Sequence, residues 1–61
     1  LRYADKLAFA EGYHAGISGT GYEQQYEAYD LCVQFDRGYE CGRARLMNQL
    51  EDQLTKLEET V

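Results

Sequence analysis

Residues 9–16 read Phe9-Ala10-Glu11-Gly12-Tyr13-His14-Ala15-Gly16, and residues 35–42 read Phe35-Asp36-Arg37-Gly38-Tyr39-Glu40-Cys41-Gly42. Both fit F-x-x-G-Y-x-x-G, and the second copy follows the first at an offset of 26 residues. On a helix, Phe at i and Gly at i+3 and i+7 share one face, with Tyr at i+4 beside them. Each interior glycine costs a helix about 1 kcal/mol against alanine. Gly12, Gly16, Gly38 and Gly42 therefore call for a reason, and close backbone approach supplies one. The repeat predicts two helices crossing glycine against glycine, with Phe9, Tyr13, Phe35 and Tyr39 flanking the contact. The same G-x-x-x-G spacing occurs in membrane helix dimers. Here charged residues flank every copy and no apolar run reaches spanning length, so no membrane segment is expected.

N-terminal to and through the first copy, residues 2–18 read as one helix, with Gly19 as its stop, because glycine accepts the left-handed conformation at a helix end. Apolar or small residues lie at almost every angle of this helix, so cover on more than one side is expected. Residues 19–26 form a turn. Thr20 and Glu23 fit a capping box, which leaves two starts open for the second helix, near Thr20 or near Glu27. From residue 27 to 60 nothing interrupts a helix except Gly38 and Gly42. Leu31, Phe35, Tyr39, Gly42, Leu46, Leu50, Leu54, Leu57 and Val61 form one stripe along it. At 1.5 Å per residue the second helix is about 50 Å long and the first only about 25 Å. The expected fold is all-α, a two-helix antiparallel hairpin with a long second helix. Residues from about Arg45 onward have no partner within the chain.

Sixty-one residues make one small domain. Such a chain buries only about 60% of its unfolded surface, and small domains commonly recover the shortfall through disulfides, metals or assembly. Cys32 and Cys41, the two cysteines, lie too far apart on one helix to bridge. Two free, buried thiols suit a reducing cytoplasm. Assembly remains, and the stripe Leu46, Leu50, Leu54 and Leu57 predicts a homodimer.

The net charge is −5, with 11 acidic and 6 basic residues. This argues against direct binding of a nucleic-acid backbone, which needs clustered Lys and Arg. No Lys or Arg stands between Lys6 and Arg37. Tyr22, Glu23, Tyr26, Glu27, Tyr29 and Asp30 fall in that stretch and form the candidate partner surface, complementary to a basic or neutral protein. The alternative for Tyr26 and Tyr29 is packing over the open end of the helix pair.

The chemistry-bearing residues are few. His14 is the only histidine, and with Cys32 and Cys41 it lacks the close spacing of a metal site. Ser18, Cys32 and Cys41 lack a recognisable base and orienting group. The glycines sit in helical patterns rather than in a phosphate-binding loop. The chain is accordingly read as a protein without catalytic, metal or cofactor function.

Gly12-Tyr13-His14-Ala15-Gly16-Ile17-Ser18-Gly19 follows the pattern G-Y-x-A-G-x-x-G, with Tyr26 in the connecting segment and Phe35, Gly38 and Tyr39 beyond it. In these features the first 43 residues resemble the ribosome modulation factor family and related small phage proteins. The resemblance implies a two-helix hairpin and a regulatory, non-enzymatic role. The chain departs from the family at Gln25, where a proline is usual, in its acidic charge, where the family's ribosome-binding member is basic, and in its leucine-rich tail. Three functions follow as expectations: a small interaction module that regulates or inhibits a host protein, a ribosome-associated factor, and an acidic mimic of nucleic acid.

Overall fold

The computed structural model describes residues 2–60. Val61, the last member of the expected stripe, lies outside them. Two helices are present, α1 at Tyr3–Ser18 and α2 at Tyr29–Thr60. They pack against each other in a body of 50 × 22 × 11 Å. Gly19 ends α1 as expected, in the left-handed conformation at φ 75°, with its N–H donated to the Gly16 carbonyl. The Thr20 hydroxyl donates to the Ala15 carbonyl at 3.0 Å, so Thr20 closes α1 rather than opening α2. Residues 20–28 run without regular structure, and α2 begins close to the later of the two expected starts.

The glycines make the contact. A Cβ on Gly12 would lie 2.9 Å from the Phe35 carbonyl carbon and the Tyr39 nitrogen, and closer still to the Phe35 carbonyl oxygen. A Cβ on Gly38 would meet the equivalent atoms of Phe9 and Tyr13 at the same 2.9 Å. One turn on, Gly16 faces the backbone of Tyr39 and Arg43, and Gly42 faces that of Tyr13 and Ile17, each at 2.8 Å to the nitrogen. The Cα–H that stands in place of each side chain points at a carbonyl oxygen, the geometry of weak C–H···O bonding at helix interfaces. The two motif copies are thus interchangeable across the contact.

That register corrects the expected direction. Gly12 meets residues 35 and 39 while Gly16 meets 39 and 43, so both helices advance together. The pair is parallel, not antiparallel. Arg2 at the start of α1 also pairs with Asp30 at the start of α2, at 3.2 Å. An antiparallel pair would put those two residues at opposite ends. Parallel packing requires the chain to travel back along the length of α1. That length is about 24 Å, and the nine residues 20–28 can span about 30 Å when extended.

The core is thin. Ala8 is 0% exposed and Phe35 5%, while Asp5 is buried at the N-terminal end beside Arg2. One face of α1 stays open, with Tyr3 75% and Leu7 45% exposed, so the all-round cover expected for this helix is not supplied within the chain. Leu46 is half-buried beside Gly19, and every residue from 47 to 59 is exposed. The overhang of α2 is therefore present as expected.

Because the atoms facing each glycine are backbone, they cannot rotate away. Gly12→Ala and Gly38→Ala should each lower the melting temperature, since overpacking of about 1–3 kcal/mol outweighs the gain of about 1 kcal/mol in helix propensity. Gly21→Ala, where a Cβ would meet nothing within 4 Å, serves as the control and should leave it unchanged. Thermal melts by circular dichroism read the difference. A rise for both motif variants would refute the contact.

Candidate functional site

The returning segment 20–28 lies on α2 and brings its tyrosines with it. The Tyr22 ring stands edge-on to Phe35 and Tyr39, with centroids 5.6 Å and 5.3 Å away. Its hydroxyl donates to Asp36. Tyr26 covers Phe35 from the other side at 6.1 Å and donates its hydroxyl to Glu11 at 2.5 Å. Each phenol caps the aromatic centre of the helix contact and ends on a carboxylate from a different helix. Gln24 and Cys32 hold the segment between them. The Gln24 amide donates to the Cys32 sulfur at 3.0 Å, and the thiol donates to the Tyr26 carbonyl at 2.9 Å. Gln24 also accepts the Tyr26 N–H.

This arrangement divides the six residues expected to form one partner surface. Tyr22 and Tyr26 both join the intrachain packing, Tyr26 half-buried and Tyr22 still 51% exposed. Asp30 is tied to Arg2. Glu23, Glu27, Tyr29 and Asp30 nevertheless remain exposed, Tyr29 at 80%. Tyr26 thus takes the packing alternative and Tyr29 does not. Asp36, Glu11 and Gln24, which hold the segment, carry no signal in the sequence. They become visible only when the chain is known to return along α2.

The thiols also differ from expectation. Cys32 is half-buried, and Cys41 is exposed because it points away from α1. Both are free. His14 lies on the exposed side of α1, edge-on to Tyr13 at 6.4 Å. Among the described residues no three of His, Cys, Asp and Glu converge as a cation site. No described helix is long and apolar enough to cross a membrane.

A second region lies where the return segment leaves α1 and the overhang of α2 begins. Tyr22, Asp36, Tyr39, Glu40 and Arg43 line an open cleft of about 470 Å³. The Arg43 guanidinium lies 5.8 Å from the centre of the Tyr39 ring and donates to its hydroxyl at 3.3 Å. Beyond it Met47, Leu50, Leu54 and Leu57 are 52%, 46%, 60% and 62% exposed. Steps of three and four carry this stripe back through Leu46, Arg43, Tyr39 and Asp36, so the stripe and the cleft share one face of α2.

Comparison of the chain with protein-family models, curated proteins and solved structures finds no match. Function is therefore argued from the site.

The two phenols supply a pH test. The hydrogen bond to Asp36, then desolvation and the carboxylate's charge, raises Tyr22 above its ordinary value of 10.0. The hydrogen bond to Glu11, followed by desolvation and charge, does the same for Tyr26. A group whose folded-state value is raised contributes stability that is complete below its unfolded value and is lost as pH rises through the folded one. Stability should therefore be level in this respect below about pH 10 and fall above it. Tyr22→Phe with Tyr26→Phe should flatten that alkaline limb. Urea titrations between about pH 8 and 12 measure it, and an unaltered limb in the double variant would exclude these hydrogen bonds as its source.

Proposed function

We propose that this chain is a non-enzymatic protein-interaction module that assembles as a homodimer through the overhang of α2. The observation that carries the reading is the solvent-exposed stripe Met47, Leu50, Leu54 and Leu57, on a helical segment that α1 does not reach. Fully burying one such side chain is worth about 1.5–3 kcal/mol. In a domain where, among the described residues, Ala8 and Phe35 are the buried apolar side chains, that is a large share of the stability available. A second copy brings an identical stripe, as self-complementary dimers require.

The exposed acidic surface of Tyr22, Glu23, Glu27, Tyr29 and Asp30 supports a further protein partner with a basic or neutral face, and the net charge of −5 disfavours a nucleic-acid backbone. The resemblance of the glycine–tyrosine motif to the ribosome modulation factor family supports a regulatory role for the module.

Sedimentation equilibrium tests the reading. The wild type should be a dimer at micromolar concentration, and Leu50→Asp/Leu54→Asp should be a monomer of lower helicity. A wild-type monomer, with helicity unchanged in the double variant, refutes the homodimer and assigns the stripe to a different protein.

A further inference from the structure

We infer that the cleft at the head of the stripe receives the acidic last turn of α2 from a second copy, with Glu58 of that copy meeting Arg43, and that this fixes the dimer as antiparallel. The inference rests on the homodimer reading and adds its direction and its end contacts.

Three observations support it. The first is steric. Tyr22 and the segment 20–28 already occupy the stripe's face of α2 at Phe35, Asp36 and Tyr39. A partner helix laid parallel would carry its own segment to the same end and the same face, and two such blocks cannot share the space. Laid antiparallel, the partner presents there the helical residues 54–59, which carry no such segment against them. The second is length. Residues 44–60 of α2 extend for about 25 Å beyond the glycine contact. Two such overhangs overlapping in full bring each tip to the other chain's cleft. With Leu50 opposite the partner's Leu54, the partner's Glu58 falls opposite Leu46, one turn from Arg43 and within reach of its long side chain.

The third is charge. Arg43 is the one basic residue lining the cleft, and it pairs there with Tyr39 rather than with a carboxylate. Asp36 is engaged by the Tyr22 hydroxyl. Glu40 lies about a turn further from the stripe, where it repels an acidic tip that runs past Arg43 and so sets the end of the overlap. Glu58 and Glu59 set two like charges side by side on the exposed part of α2, where they repel each other. A cation from the other chain relieves that repulsion.

Charge reversal with mixing tests the inference. Arg43→Glu and Glu58→Arg should each weaken the homodimer about tenfold, because every reversal acts at both ends of a symmetric dimer. An equimolar mixture of the two variants should form a heterodimer as tight as the wild type, since both of its ends then join opposite charges. Sedimentation equilibrium gives the constants, and circular dichroism of each variant checks that both remain helical. Unchanged dimerisation in both variants, with Leu50→Asp/Leu54→Asp still dissociating the dimer, overturns the cleft contact and leaves the stripe intact. A wild-type monomer overturns both readings.

Discussion

Four glycines bring two helix backbones into direct contact, and the remaining features of the molecule adjust to that contact. Gly12 and Gly38 each face the carbonyl of the other helix's phenylalanine, and Gly16 and Gly42 repeat the relation one turn later. Because both helices offer the same face, the contact is locally symmetric, as in a dimer of identical helices. Side chains contribute little at its centre. Close backbone packing takes the place of the large apolar core that a chain of 61 residues cannot assemble.

The parallel direction gives the connecting segment its role. A short turn cannot join parallel helices, so residues 20–28 travel back along the pair and become a third layer over it. Tyr22 and Tyr26 close over Phe35, which the glycine contact leaves uncovered on that side, and their hydroxyls end on Asp36 and Glu11. Tyrosine suits the task, since its ring covers apolar surface while its hydroxyl stays satisfied at the edge. This role half-buries Tyr26, while Tyr22 keeps about half of its surface open beside the cleft. Of the six residues expected on the acidic surface, all but Tyr26 stay exposed.

Unequal helix lengths decide where the molecule is unfinished. α1 has 16 residues and α2 has 32, and both start at the same end, where Arg2 joins Asp30. All the excess of α2 therefore projects from the other end, with its leucines exposed. The return segment blocks the same face nearer the N-terminus. An occupant of the stripe thus meets bare helix on one side and a tyrosine–arginine cleft on the other.

Much of this was legible in the residues themselves. The repeat at an offset of 26 named the contact face, Gly19 marked the end of α1, and the 3–4 spacing of the leucines marked an overhang. These are local properties, set by helix periodicity and by the conformations open to glycine. Helix direction was not legible, because a symmetric face can pair about an axis along the helices or across them with the same residues in contact. Only the length of the connection between α1 and α2 distinguishes the two, and the possible cap at Thr20 hid that length. The positions of Tyr22, Tyr26, Cys32 and Cys41 followed from the direction. Each depends on which strip of α2 the returning chain covers, and that is decided by tertiary packing rather than by the sequence around any one of them.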